Sequence, residues 1–123
     1  MPKNPVAFRF TRQKYNAKPT ERDGFRFDSM IEADFYDYLK QQTLDGHLLH
    51  IDVHPVMTLS DGIRKTFDFM GWYRDGRVTV YDVKGGRMTA GASAFRGVMK
   101  RWNHPGAELV AITRHKKVWA EWT

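Results

Sequence analysis

The sequence contains no cysteine, and this absence excludes disulfides and thiolate zinc sites from the chain. It also contains no apolar run that approaches the ~20 residues of a membrane-spanning helix. Its polar first residues lack the apolar stretch of a secretory signal. We therefore expect a cytoplasmic protein with no membrane partner.

Internal repeats and low-complexity segments are absent as well. The chain has 123 residues, of which 41% are hydrophobic and 14% aromatic, so it can bury one hydrophobic core without disulfides or a structural metal. Residues 1–26 mix prolines with basic and aromatic residues and have no sustained periodicity. They predict a basic arm, with a short hairpin possible at Asp23 and Gly24. Residues 27–123 are expected to form a single domain.

Charge is unevenly distributed along the chain. Residues 1–26 carry a net charge of +5 and residues 84–123 one of +6, whereas residues 27–83 carry −5. A basic frame around an acidic centre is typical of an enzyme that binds a polyanion and holds a cation, and the alternative is a solvated basic surface. The side chains that we expect to contact nucleic-acid phosphates are Arg9, Arg12, Lys14 and Lys18 in the arm, with Arg96 and Lys100 farther along.

Hydrophobic periodicity predicts the order of the structural elements. Helices are predicted over residues 29–42 and 92–103, and strands over residues 48–59, 66–73, 77–84, 109–113 and 118–122. In the first helix, Ile31, Phe35, Tyr38 and Leu39 form one apolar face. The order of helix, three-stranded antiparallel meander, helix and strand predicts an α/β fold with a mixed sheet.

The two hairpin strands can pair in either of two registers around the Asp-Gly dipeptide at residues 75–76. With a two-residue turn, Phe69 lies opposite Asp82, and Asp68 faces the other side of the sheet. With a three-residue loop over residues 74–76, Asp68 lies opposite Asp82 and the two carboxylates share a face. Only the second register builds a joint acidic site, unless a one-residue bulge corrects the first.

Acidic and basic side chains at these strand ends suit the cleavage of a phosphodiester. Asp82 and Lys84 are two residues apart and project from the same face of their strand. Asp68 lies between two phenylalanines, where an unpaired aspartate is rare and a functional role is favoured. We expect Asp68 and Asp82 to supply the hard oxygen ligands that Mg²⁺ prefers. The Val83 carbonyl and Glu32 of the preceding helix are further candidate ligands, and Lys84 can orient or deprotonate the attacking water.

These residues also have plainer explanations. Asp82 and Lys84 can form an exposed ion pair at a strand end, worth well under ~1 kcal/mol. Glu32 stands three residues after Ser29, which is the spacing of a capping box. In that motif the glutamate only accepts a bond from a backbone amide at the helix start.

The spacing of these residues resembles the motif of the PD-(D/E)XK nuclease superfamily, in which acids on a helix and two strands precede a lysine. The segments that carry the resemblance are Glu32, Asp68 and Asp82-Val83-Lys84. A closer resemblance, to a family of small phage and prophage nucleases, covers about residues 14–112. Its segments are Lys14-Tyr15-Asn16-Ala17-Lys18, Asp23-Gly24, Phe27-Asp28-Ser29, Glu32-Ala33 and Asp82-Val83-Lys84-Gly85.

The resemblance implies a restriction-endonuclease-like core and an endodeoxyribonuclease that depends on Mg²⁺ or Mn²⁺. It implies metal ligation by Asp68 and Asp82, a catalytic Lys84 and a metal-linked Glu32. Relatives include Holliday-junction resolvases, which act as dimers, so the expected substrate is branched DNA and the expected state a homodimer. The expected location is the host cytoplasm if a phage encodes the chain. The alternatives are a structure-independent nicking or restriction-type nuclease and a non-catalytic nucleic-acid-binding module.

Overall fold

Two helices lie on opposite faces of one mixed sheet, and the predicted α/β fold is confirmed. The structure is a computed structural model that describes residues 19–85 and 91–121. The four arm residues predicted to contact phosphates, Arg9, Arg12, Lys14 and Lys18, lie outside these ranges. No helix within the described ranges is long and apolar enough to cross a membrane.

The described ranges contain two helices and nine strands. The helices are α1 (Met30–Leu44) and α2 (Gly91–Lys100). The strands are β1 (Thr20–Arg22), β2 (Phe25–Phe27), β3 (Leu48–Val53), β4 (Val56–Thr58), β5 (Arg64–Thr66), β6 (Phe69–Tyr73), β7 (Val78–Val83), β8 (Glu108–His115) and β9 (Val118–Glu121). The central sheet has the order β3-β6-β7-β8-β9, in which β8 runs parallel to β7 and the other neighbours are antiparallel. Strands β1–β2 and β4–β5 form two separate hairpins.

Alternation along β7 decides which helix faces the acidic residues. Tyr81 and Val83 belong to the core against α1, whereas Val80 belongs to the core against α2. Since side chains two residues apart share a face, Asp82 and Lys84 project toward the α2 side, as Val80 does.

The β6–β7 hairpin adopts the register of the three-residue loop. The ladder pairs Phe69 with Tyr81, and one step farther it places Asp68 opposite Asp82. Gly76 ends the loop with a φ of +96°, in the left-handed region that glycine adopts without strain. The predicted register that brings the two aspartates together is confirmed.

The first helix is confirmed, but its buried face differs by one residue. Phe35 and Leu39 are buried as predicted, whereas Tyr38 is 40% exposed and Tyr36 is buried instead. The reason is the β1–β2 hairpin, which forms at the predicted Asp-Gly turn and packs on α1. The Tyr36 hydroxyl donates to Asp23 Oδ2 in this turn at 2.8 Å.

The strand predicted over residues 48–59 is wrong as a single element. β3 ends at Val53 and β4 begins at Val56, and between them His54 has a φ of +57° before Pro55. Proline cannot donate to a ladder, and the chain changes partner here. β3 pairs with β6, whereas β4 pairs with β5.

Two predicted boundaries shift for related reasons. Thr66, predicted at the start of the β6–β7 hairpin, belongs to β5 because it pairs with Val56. The second helix ends at Lys100, three residues before the predicted end. The next two residues continue in tighter i→i−3 bonds to Val98 and Met99.

Candidate metal centre

Asp68 lies where β6 separates from β7, and its carboxylate replaces the next rung of the ladder. By register Phe67 would lie opposite Val83, but the Phe67 amide donates to the Pro55 carbonyl at 2.8 Å. The Val83 amide donates instead to Asp68 Oδ2 at 2.7 Å. The Asp68 amide in turn donates to the Tyr81 carbonyl at 3.1 Å. Backbone groups of the neighbouring strand therefore fix the position of this carboxylate.

Asp82 and Lys84 form an ion pair on the same face of β7. Lys84 Nζ lies 3.1 Å from Asp82 Oδ2, and the two side chains are only 25% and 17% exposed. Lys84 Nζ also lies 5.8 Å from the ring centroid of Phe95 on α2. The pair predicted as the plainer explanation does form, but it is largely covered rather than exposed.

Glu32 lies in the first turn of α1 and forms part of a capping box with Ser29. Its amide donates to Ser29 Oγ at 3.3 Å, and its Oε1 accepts a bond from the Asp28 amide at 3.1 Å. The carboxyl group of Glu32 also lies near enough to Asp68 for its charge to raise the pKa of Asp68. The capping role is confirmed, and the same side chain belongs to the acidic cluster.

Three carboxyl groups therefore lie together, and their proximity changes the acidity of the central one. Burial, followed by the negative charges of Glu32 and Asp82, raises the pKa of Asp68 to about 8, against the opposing bond from the Val83 amide. Burial also raises the pKa of Glu32 above its ordinary value, against the bonds from amides at the helix start.

The chemistry of this cluster fits a hard divalent cation. Asp68 and Asp82 offer carboxylate oxygens from neighbouring strands, and Glu32 offers a third group from the helix. Within residues 19–85 and 91–121, no three or more His, Cys, Asp or Glu side chains are arranged as a preformed metal site. For Val83, the contact with Asp68 is made by the amide, and the predicted role of its carbonyl stays a prediction.

The phosphate contacts predicted on the second helix lie on an accessible surface. Arg96 and Lys100 are both exposed on α2. This helix covers the face of the sheet from which Asp82 and Lys84 project. Their proposed contact with nucleic acid therefore stays a prediction that the position of the helix permits.

Sequence reasoning missed the β4–β5 hairpin, which carries Arg64 and Lys65. Its turn has the same bonds as the turn at residues 74–76. The Leu59 amide donates to the Ile63 carbonyl at 2.8 Å. In the other turn the Tyr73 amide donates to the Arg77 carbonyl in the same way, at 2.9 Å. In both turns an aspartate accepts a bond from the amide two residues later. The Asp-Gly dipeptide at 61–62 was the signal that could have identified this hairpin.

Comparison with known proteins places the chain in a family. The model of the family described as "Protein of unknown function (DUF1064)" matches residues 12–118, and the chain therefore belongs to that family. No curated protein and no solved structure has significant similarity to the chain. The family description assigns no activity, so the chemistry of the site is the basis for a function.

Proposed function

We propose that this member of the DUF1064 family is a DNA endonuclease that hydrolyses phosphodiester bonds with Mg²⁺ or Mn²⁺. One observation carries the proposal. The carboxyl groups of Glu32, Asp68 and Asp82 lie together at the end of the β6–β7 pair, and the Lys84 ammonium lies beside them. The similarity of this set to the PD-(D/E)XK motif supports the same chemistry.

A purely structural role explains the acidic cluster poorly. Burying a carboxyl group is unfavourable unless it is paired, and burial together with the acidic neighbours raises the pKa of Asp68 to about 8. An asparagine could accept the same bond from the Val83 amide without this penalty. A role as a ligand accounts for the acid at this position, because a cation would balance the charge that burial and neighbouring acids otherwise oppose.

The residues of the site divide the work of hydrolysis between them. Asp68 and Asp82 would hold the metal, and Glu32 would hold it directly or through a water. When bound, Mg²⁺ supplies Lewis acidity toward the phosphate and the attacking water. As an ammonium, Lys84 orients the attacking water and offsets phosphate charge. To deprotonate that water it would act as a neutral amine, which accepts the proton. Phe95 lies against this ammonium and limits the access of bulk water to it.

DNA is the proposed substrate because the chain surrounds its acidic centre with positive charge. Arg96 and Lys100 on α2 would contact phosphates next to the site, and Arg9, Arg12, Lys14 and Lys18 in the arm would extend the contact. The similarity to Holliday-junction resolvases makes branched DNA the preferred substrate and a homodimer the active form. A dimer would place two sites so that paired strands are cut symmetrically.

A non-catalytic nucleic-acid-binding module is the alternative, and one observation favours it. The described residues contain no preformed group of three metal ligands. Under this alternative, the acidic cluster would bind no metal and the basic surfaces would account for all of the protein's activity. A structure-independent nicking or restriction-type nuclease is the alternative within the nuclease class.

Cleavage of matched DNA substrates tests the proposal. The chain is incubated with a four-way junction, a flap, a linear duplex and a single strand, each in Mg²⁺ and in EDTA. We expect cleavage in Mg²⁺ only, with paired symmetric nicks in the junction. Binding without cleavage in Mg²⁺ or Mn²⁺ would assign the chain to the non-catalytic class. Equal cleavage of junction and duplex would favour the structure-independent nuclease.

A matched pair of variants separates the site from the rest of the sheet. Asp82→Asn should reduce the cleavage rate by at least ~10²-fold, because the loss of a metal ligand removes several kcal/mol of transition-state stabilisation. Asp52→Asn is the control, because Asp52 lies on β3 and bonds to Trp72 and His50. It should cleave at the wild-type rate. Equal rates for both variants would show that the site is misassigned.

A further inference from the structure

The β4–β5 hairpin, which comprises β4, β5 and the turn at residues 59–63, is fastened to the region of α2. Leu59 in the turn is 2% exposed and belongs to the core between the sheet and α2. Asp61 Oδ2 forms an ion pair with Arg101 Nη1 at 2.7 Å. The Ser60 amide donates to the Arg101 carbonyl at 2.9 Å. The tip of the hairpin is therefore a fixed projection of the fold.

The outer surface of this hairpin combines positive charge with an apolar tip. Ile63 is 56% exposed directly after the turn. Arg64 is exposed and has no ion-pair partner within the described ranges. Lys65 Nζ lies 5.6 Å from the ring centroid of Phe67, so its stem is packed. Since Arg64 and Lys65 are consecutive in a strand, they project from opposite faces of the hairpin.

The hairpin leads directly into the acidic site. Ile63 precedes Asp68 by five residues, so its Cα lies at most ~17 Å from that of Asp68. Nucleotides of one DNA strand are ~3.4 Å apart along the helix axis. A DNA strand that runs from Asp68 along this hairpin would reach the tip within roughly five nucleotides of the scissile phosphate. Contact there affects the DNA close to the cut.

We infer that the β4–β5 hairpin recognises the branch point of the DNA, an inference that rests on the proposed function. Arg64 contacts a phosphate, and Ile63 packs against the base pair that a branch point leaves without a stacking neighbour. Isoleucine suits this position because its β-branched side chain is stiff. Insertion of an apolar side chain into a continuous duplex first requires unstacking of a base step. A branch point already offers an exposed base-pair face, so the apolar tip favours branched over linear DNA.

Binding measurements in an inactive background test this inference. The Asp82→Asn variant is combined with Ile63→Thr, which preserves β-branching and removes apolar surface. We expect Ile63→Thr to lower affinity for the four-way junction roughly tenfold and to leave affinity for a linear duplex unchanged. The control is Val56→Thr, because Val56 is 47% exposed on the other strand of the same hairpin, away from the tip. It should bind both substrates as the background variant does.

Two further readouts distinguish base contact from phosphate contact. A 2-aminopurine placed at the branch point should change its fluorescence on binding, and Ile63→Thr should abolish that change. Arg64→Gln should weaken binding to junction and duplex alike, and reduce the slope of log K against log salt by ~0.9. The inference is overturned if Ile63→Thr binds the junction with unchanged affinity, or if it loses junction and duplex binding equally.

Failure of the proposed function would look different from failure of this inference. Junction-selective binding that depends on Ile63, without cleavage in Mg²⁺, would refute the proposed nuclease activity and support recognition of the branch point by the hairpin. The Ile63→Thr variant is also prepared with Asp82 intact. If it cleaves with the junction selectivity of the wild type, the proposed role of the hairpin is refuted and the nuclease is not. Thermal unfolding of each variant, with a Tm equal to that of the parent, confirms that the comparison concerns folded protein.

Discussion

Replacement of Asp68 by asparagine should stabilise the protein while it abolishes cleavage. Asparagine keeps an oxygen that can accept the bond from the Val83 amide, which is 2.7 Å long in the structure. The substitution removes a negative charge that burial and the neighbouring Glu32 and Asp82 make unfavourable. It also removes a proposed metal ligand. Stability and activity should therefore change in opposite directions.

The size of the gain follows from the pKa of Asp68. This pKa rises from 3.8 to about 8 on folding. At pH 7, which is about 3 units above the pKa in the unfolded chain, the ionised carboxyl group must therefore take up a proton when the chain folds. Each unit corresponds to about 1.4 kcal/mol, which gives an upper limit of about 4 kcal/mol. Coupling to Glu32 and partial solvent access reduce this limit. We expect the variant to gain roughly 1–3 kcal/mol, or roughly 4–12 °C in Tm.

The gain should depend on pH in a direction that the raised pKa fixes. Between pH 4 and pH 8 the folded wild type binds more protons at Asp68 than the unfolded chain does, so its stability falls as the pH rises. The Asp68→Asn variant has no carboxyl group at this position, so its stability does not fall with pH for this reason. The difference in unfolding free energy between the two proteins should be smallest near pH 4 and largest near pH 8.

Urea and thermal denaturation of both proteins in EDTA, from pH 4.5 to pH 8, measure this difference. The control is Asp75→Asn, because bonds from the Arg77 amide and side chain lower the pKa of the exposed Asp75. Its loss should not stabilise the protein at any pH in this range. Addition of Mg²⁺ should raise the Tm of the wild type more than that of Asp68→Asn. A variant that is less stable than the wild type at pH 8 in EDTA, or a difference that does not change with pH, would refute the reasoning.

Three other substitutions or deletions address the remaining parts of the proposed enzyme. Lys84→Ala should lose cleavage and still bind Mg²⁺ in calorimetry, because the lysine is not a ligand; a loss of metal binding would indicate a structural lysine. Glu32→Gln keeps an acceptor for the cap bond, so its unfolding free energy should change by less than ~1 kcal/mol while cleavage falls. Full activity of that variant would leave Glu32 with the capping role alone. Deletion of residues 1–18 should weaken binding to all DNA sequences alike and reduce the salt slope by ~0.9 for each lost phosphate contact. An unchanged slope would assign the arm to packing or to dimer contacts.

The paired aspartates could be predicted because local chemistry determines their register. The Asp-Gly dipeptide at residues 75–76 predicts a turn, and of the two registers that it permits, the three-residue loop is the one that brings both aspartates to one face. That register places Asp68 opposite Asp82, and alternation along β7 places Lys84 on the face of Asp82. No long-range information enters this chain of inference.

The change of partner after β3 could not be predicted in the same way. Alternating apolar residues show that a segment is extended, but they do not identify the strand with which it pairs. Residues 48–59 are predicted as one strand, whereas His54 and Pro55 end one pairing and begin another. For Glu32, the sequence gives two roles, a helix cap and a metal-linked carboxylate, and does not exclude both together. In the structure one carboxyl oxygen accepts the cap bond while the charge of the group still raises the pKa of Asp68.

The turn at residues 74–76 places an unexpected limit on how the length of this chain can vary. It is exposed, and the five residues of β6 separate it from Asp68, so that it lies about 20 Å from that residue. Exposed loop tips are ordinarily where chains accept insertions. Here one additional residue can shift β7 by one step against β6, and because side chains alternate, this would turn Asp82 toward α1 and separate it from Asp68. Designers who graft a tag or a binding loop into this molecule should therefore avoid the turn that looks most remote from its centre.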